Sequence, residues 1–307
     1  MSVRSLSFHA HYRCRHNGAC CTANWPIPVE ADRLAVMHAA AANARLRPAD
    51  FVEPATPNAP VLLRVVAHEC VFFDAEQGRT CGVHTALGHD ALPLACRQFP
   101  RVVVTDPRGV SVVLSHFCPT AAAMLTEPGT FRSRVAIVEN PPAFPADGEY
   151  VGLDARDSLP PLLRPDVLMD WESWWEFERR AVEMLGNSTD PPDATLLRLR
   201  QIVEDIRTWS PGQGALLARV EEAFGAKADL EVGPTYLLNR FLAAHAFANW
   251  TAHLGQGLRS WLLSIEAAHE LMTSGHDVRQ ADLRLRHLSD PYEMARTWSA
   301  AETESAR

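Results

Sequence analysis

Apolar positions recur along this chain with two different periods, and the change of period divides it. From Val29 to Leu46 an Ala-rich stretch carries apolar residues at helical spacing, follows Pro26 and Pro28 and stops before Pro48, which predicts one helix. Val61-Leu-Leu-Arg-Val-Val and Val71-Phe-Phe are rich in β-branched and aromatic residues and predict strands. Arg101-Val-Val-Val-Thr and Val110-Ser-Val-Val-Leu-Ser flank Asp106-Pro-Arg-Gly, a turn signal, and predict a hairpin. Pro119 to Leu125 predicts a short helix.

Further on the period is helical. Asp166 to Leu185 places Leu168, Trp171, Trp175, Val182 and Leu185 close to one face. Ala194–Thr208, Gly214–Phe224, Thr235–Leu254, Gly257–Met272 and Pro291–Ala300 are further candidates. Gly186, Gly225, Gly255 and Gly275 fall where helices would stop. Between the two regimes a stretch rich in Pro and Gly runs from Glu139-Asn-Pro-Pro-Ala-Phe-Pro through Ser158-Leu-Pro-Pro, and reads as a linker or as irregular chain over the junction.

Composition narrows the class. With 47% hydrophobic and 21% charged residues, the 307-residue chain has the profile of a soluble globular protein. A formal charge of −8 gives no footprint of a nucleic-acid binder. No apolar run approaches the roughly 18 residues that span a bilayer. The opening residues lack the apolar stretch of a secretory signal, so a cytoplasmic protein is expected, with neither nucleic acid nor membrane as a partner. In that compartment thiols stay reduced, and an odd count of seven cysteines argues against a disulfide framework.

The cysteines are unevenly placed. All seven, Cys14, Cys20, Cys21, Cys70, Cys81, Cys96 and Cys118, lie in the first 118 residues, whereas seven of the eight tryptophans lie beyond residue 170. A lone buried cysteine is usually a small hydrophobe. As a group these sit in polar or glycine-bearing segments, Arg13-Cys-Arg, Gly18-Ala-Cys-Cys, Arg79-Thr-Cys-Gly and Ala95-Cys-Arg-Gln-Phe-Pro, which suit loops bent round a metal. All seven are therefore candidate metal ligands.

Tyr12-Arg-Cys-Arg-His-Asn-Gly-Ala-Cys-Cys, then Cys70-Val-Phe-Phe-Asp, Cys81-Gly-Val-His, Cys96-Arg-Gln-Phe-Pro and finally Cys118 follow one another in a familiar order. In this the chain resembles the YkgJ-type cysteine-cluster family, described as zinc- or iron-chelating and related to flagellin lysine N-methylase. The resemblance covers about residues 8–120. It implies a metal- or cluster-binding module and, through the more distant relative, a protein lysine N-methylase using S-adenosylmethionine (SAM) on a protein substrate. One position departs: Asn17 stands where the family pattern has its second cysteine. Either the site uses one ligand fewer, or Asn17 or a nearby histidine fills the place.

Two metals remain open. Structural zinc usually sits between two Cys-x2–4-Cys knuckles, which this chain lacks, and neighbouring side chains such as Cys20 and Cys21 tend to diverge. Widely spaced loop cysteines suit an iron–sulfur cluster, which is favoured over zinc. His16, His68, His84 and His116 stand close to cysteines in sequence and are candidate ligands or sulfur hydrogen-bond donors, the plainer reading being ordinary surface or core histidines. Arg97 suits either the cluster's charge or a structural ion pair. Trp174 and Trp175 among acidic residues read as core packing rather than as a cation cage. There is no Walker A motif, no Gly-x-Ser-x-Gly, no His-Glu-x-x-His, no radical SAM Cys-x3-Cys-x2-Cys and no glycine-rich SAM loop, so no catalytic residue is named. The expected fold is α+β: a cysteine-cluster metal-binding domain of short strands and helices over 1–130, a Pro/Gly-rich linker over 131–160, and an all-α domain over 161–303.

Overall fold

The computed structural model describes residues 1–43, 51–52, 61–76, 80–127, 133–225 and 237–288. The chain is a mixed α/β protein with its long helices in the C-terminal half. Its main sheet has five strands: β1 (Val3–Leu6), then, after the cysteine-bearing segment, a hairpin that supplies two more. The cysteine-bearing segment itself contains α1 (Ala31–Asn43), four two-residue strands, β2 (Val65–Val66), β3 (Glu69–Cys70), β4 (Phe73–Asp74) and β5 (Thr80–Cys81), and two short helices, α2 (Gly82–Leu87) and α3 (Leu94–Gln98). The hairpin is β6 (Arg101–Asp106) and β7 (Gly109–Leu114), followed by α4 (Pro119–Met124). The alternation of β-branched residues around Asp106-Pro-Arg-Gly gives the expected turn. Gly109 adopts φ 120°, and a Cβ there would collide with the Ser2 carbonyl oxygen.

The sheet order is less local than the hairpin. β1 lies parallel to β7, pairing Val3 with Val110 and Ser5 with Val112. β8 (Ile137–Glu139) closes one edge against β1, and β9 (Leu153–Asp154) the other against β6. Both edge strands come from the stretch read as a linker, which is therefore partly woven into the sheet. The predicted strand at residues 61–66 is reduced to isolated bridges at Leu62 and Leu63 followed by β2, because its partner β3 is only two residues long.

Side chains alternate across the sheet with period two. Val110, Val112 and Leu114 face one core with Val3, Met124 and Phe144. Val113 and Leu6 face the other, which is built mainly by helices. A β-hairpin, β10 (Leu162–Arg164) and β11 (Val167–Leu168), opens this half, so it is not purely helical. Then come α5 (Trp171–Asn187), α6 (Pro192–Arg207), α7 (Leu216–Phe224), α8 (Leu237–Ala246), α9 (Leu258–Thr273) and α10 (Val278–Leu283).

α5 shows why these elements form. The Asp170 carboxylate caps it by accepting from Ser173 N–H at 2.8 Å. Trp174, Phe177, Ala181, Val182 and Leu185 recur at helical spacing and are buried together. Trp174 thus belongs to the core, stacked on Phe177, while Trp175 lies 5.5 Å beneath the Arg108 guanidinium. Gly186 does not stop the helix but sits inside its last turn, where a Cβ would collide with Val135. Asn187 then binds both backbone groups of Val135, at 2.7 and 2.8 Å.

The other predicted helices appear as α6, α7, α8 and α9, with shifted ends. The segment expected as one helix over 235–254 ends at Ala246, and a separate 3-10 turn follows at Trp250–His253. α10 was not anticipated: its capping box, Asp277 with Gln280, is legible, but the helix is only six residues long. The candidate Pro291–Ala300 and the end of the helix predicted to Leu46 lie outside the described residues. Among the described residues no helix is long and apolar enough to cross a membrane.

Candidate metal centre

Each cysteine is placed by a different short element. Cys14 lies in the loop after β1. Cys20 and Cys21 share one 3-10 turn, Ala19–Thr22, closed by Cys21 N–H to the Gly18 carbonyl at 2.9 Å. Cys70 ends β3 and Cys81 ends β5, where it also caps α2. Cys96 is carried by α3, whose leading amide at Leu94 donates to the Glu30 carboxylate at 3.1 Å. Cys118 caps α4.

These elements bring six of the seven cysteines, all but Cys70, to the wall of one small cavity of about 80 Å³. Cys70 is buried just behind, close enough for the charges of Cys81 and Cys20 to act on its thiol; burial first, then those charges, push it up to about 12. On the 3-10 turn Cys20 and Cys21 stand side by side and both reach the cavity, so the divergence expected of neighbours in extended chain does not apply here.

The sulfurs fall into two groups. In the inner one Cys21 faces both Cys20 and Cys81 with a single thiol proton to give; a hydrogen bond to either holds Cys21 protonated and favours thiolate on that partner. Cys81 is brought down to about 6 by that hydrogen bond, with help from the amides of His84 and Val83. Cys96, also inner, is held well above the usual thiol range by burial and by the charges of Cys20, Cys70 and Cys81. In the outer group Tyr12 Oη lies 3.7 Å from Cys118 Sγ, and the exposed Cys14 accepts from the His16 amide at 3.4 Å. Burial and the two outer sulfurs push the Tyr12 phenol up.

Other predicted residues divide clearly. Asn17 lines the cavity, its amide donating to Thr120 Oγ1 at 3.1 Å. His16 and His84 also line it, with ring centroids 4.4 Å apart. His89, which sequence reasoning passed over, joins them 5.9 Å from His84; its only signal was the spacing of five residues. His68 is exposed in the β2–β3 turn and is not on the cavity wall. Arg97 makes a bidentate pair with Glu149 at 3.1 and 3.0 Å and binds the Leu92 carbonyl, the structural alternative.

His116 turns away from the sulfurs into a buried polar cluster. Its Nε2 lies 3.2 Å from His9 Nε2, and its Nδ1 is 3.7 Å from the Asp282 carboxylate. Asp282 also accepts from Ser115 Oγ at 2.5 Å, the Phe117 amide at 3.2 Å and Arg286 Nε at 3.1 Å. Together with Arg279, which donates to the Phe117 carbonyl at 2.9 Å, this cluster holds the Cys118 loop from α10. Nothing in the sequence linked residues so far apart.

A set of soft sulfur donors round a closed space suits zinc or an iron–sulfur cluster, both of which bind thiolates. The walls are nonetheless those of hydrogen-bonded thiols: among the described residues no three His, Cys, Asp or Glu side chains converge as a ready ligand set. Comparison with protein-family models, with curated proteins and with solved structures found no match.

Proposed function

We propose that the chain binds a thiophilic metal centre in the cysteine-lined cavity, an iron–sulfur cluster in preference to zinc, and that residues 1–130 serve as its cysteine-cluster domain. One observation carries this reading: six cysteines drawn from five separate positions between residues 14 and 118 wall a single cavity, with the seventh behind it. Thiols gathered only as small hydrophobes would pack without leaving such a space, and several thiolates together need a cation to offset their repulsion.

Cys20, Cys21, Cys81 and Cys96 form the inner set that would hold the centre, with Cys70 adjoining. Cys14, Cys118 and Asn17 flank it. Ligation requires Cys21 to give up its proton and the inner side chains to turn inward by rotation about their short stems. The preference for iron–sulfur rests on the number of sulfurs, more than one tetrahedral zinc uses, and on the lack of zinc knuckles. When bound, such a cluster supplies one-electron chemistry. The resemblance to the YkgJ-type family points the same way.

Purification without oxygen, followed by iron, zinc and acid-labile sulfide analysis, tests the proposal. Iron with labile sulfide in near-stoichiometric amount is expected. Stoichiometric zinc without sulfide overturns the cluster, and a metal-free chain that takes up neither overturns the site.

A further inference from the structure

A second cavity, remote in chemistry from the sulfurs, lies between the sheet and the helices. Its volume is about 430 Å³, within the range of roughly 300–1,000 Å³ typical of small-molecule sites. One side is apolar, built from the first residues of β6 such as Val102, together with Leu285 and Trp250. The hydroxyl and amide groups of the lining are committed to one another, as in Thr251 Oγ1 to Asn249 Oδ1 at 2.6 Å and Asn249 Nδ2 to Ser264 Oγ at 2.7 Å.

Three polar groups of the lining remain to be accounted for. Arg286 spends its Nε on Asp282 and one terminal nitrogen on the Ala244 carbonyl at 3.2 Å. Arg101 makes no hydrogen bond or ion pair through its guanidinium among the described residues, and its charge acts on the Tyr150 phenol. His245 is 8% exposed, and its Nδ1 is buried without a partner. That nitrogen has no accessible surface, so what His245 offers the cavity is the remaining edge of its ring.

We propose that this cavity binds a small organic anion, a carboxylate or phosphate monoester on an apolar or aromatic body. Arg101 takes the charge, His245 adds a hydrogen bond, and the body lies against Val102, Trp250 and Leu285. An arginine fork recognises carboxylate and phosphate alike, so the chemistry shared by the two is what the wall selects. A neutral imidazole suits this role: burial, and then the Arg286 charge, hold His245 down at about 3. The inference stands apart from the metal proposal and uses none of its residues.

The test uses the full chain and 8-anilinonaphthalene-1-sulfonate, an aromatic anion whose fluorescence reports apolar sites. Saturable binding at one site is expected. Benzoate and phenyl phosphate should each displace the probe at least tenfold better than uncharged benzyl alcohol, and the better of the two identifies the head group. Arg101→Gln should weaken both anions about tenfold or more, as loss of a charge-assisted contact does, while leaving benzyl alcohol unchanged. Val102→Trp, which fills the apolar end from a half-buried position, should abolish binding of all of them. Unsaturable binding, equal displacement by the uncharged alcohol, or an Arg101→Gln variant with wild-type anion affinity overturns the proposal. So does retained binding in a folded Val102→Trp variant.

Discussion

The cysteine-bearing segment and the helical half are built on different terms. The helical half buries long amphipathic faces: Phe177, Leu199, Val203, Phe241, Trp261 and Ile265 are all fully enclosed in one core that also takes Leu6, Phe8 and Val113 from the sheet. Each such side chain contributes roughly 1.5–3 kcal/mol on burial. Among the described residues of the cysteine segment only α1 is a helix of comparable length. The segment's strands are two residues long, α2 and α3 are six and five residues long, and its separate core gathers around Met37, Phe51 and Phe72 with Cys21 and Cys70 among the members. Where apolar area is scarce, cross-links commonly make up the difference. Sulfurs walling a cavity are the material for one.

The largest effect should come from removing the cross-link. If metal binding is folding free energy for this segment, a strong chelator under anaerobic conditions should strip hydrogen-exchange protection from residues 14–98 and leave α5, α6 and α9 protected. Equal loss in both regions would show that they fold as one unit, and no loss in either would remove the metal's structural role.

A cavity in the helical core is the complementary perturbation. Phe177 is fully buried between Trp174, Phe224 and Trp261. Phe177→Ala should cost about 3–5 kcal/mol in denaturant unfolding while metal content per folded chain stays at the wild-type level. Metal lost in proportion to stability would contradict the separation of the two regions.

Acid should act at the junction as well as at the sulfurs. Burial lowers His9 and His116, holds His245 down at about 3 and His253 at about 4. In the unfolded chain these imidazoles protonate near 6.5. Between those values the unfolded state binds more protons, so stability falls as pH drops below about 6.5. Asp282 adds a second, lower window. Burial raises its carboxyl, but the neighbouring His116 and the Arg286 charge outweigh this and hold it below the usual range. Its contribution is present above about 3.9 and is lost on further acidification. Thermal unfolding followed from pH 8 to 4 should therefore show a falling midpoint well before carboxylates titrate, and a flat profile down to pH 5 would contradict it.

Much of this was legible in advance because the signals are local. α5, α6 and α9 are long enough for a 3.6-residue period to show, and the β6–β7 hairpin carries its own turn chemistry. Clustering of the cysteines was equally plain, since it needs only their positions. The rest depends on contacts distant in sequence. β1 reads Val-Arg-Ser-Leu, too short and polar to announce a strand, yet it is buried because Arg4 finds Asp106 at 3.2 Å and Ser111 Oγ at 2.7 Å. β8 and β9 hide in Pro-rich chain. His116 looks like a neighbour of Cys118 but faces away, since residues 115–118 form a turn rather than extended chain and the imidazole lies against Asp282, some 160 residues on. The pairing of Cys20 with Cys21 was obscured by assuming extended backbone where the chain makes a 3-10 turn.

A small effect sharpens the site itself. Asn17 lines the cavity among the cysteines. Asn17→Cys should leave metal content equal or slightly raised, with stability changed by less than about 1 kcal/mol, since its one side-chain donor bond, to Thr120, is half-buried. A sharp drop in bound metal would show that Asn17 is itself a ligand.

The most direct test of the account is the X-ray absorption fine structure of the metal in protein purified without oxygen. Binding by the cysteine cavity predicts a shell of sulfur scatterers at roughly 2.3 Å, with a second, metal shell if the centre is an iron–sulfur cluster. It also predicts loss of that sulfur shell when Cys20, Cys21, Cys81 and Cys96 are replaced together by Ser. A first shell of nitrogen and oxygen alone, or a sulfur shell unchanged in the quadruple variant, would contradict it.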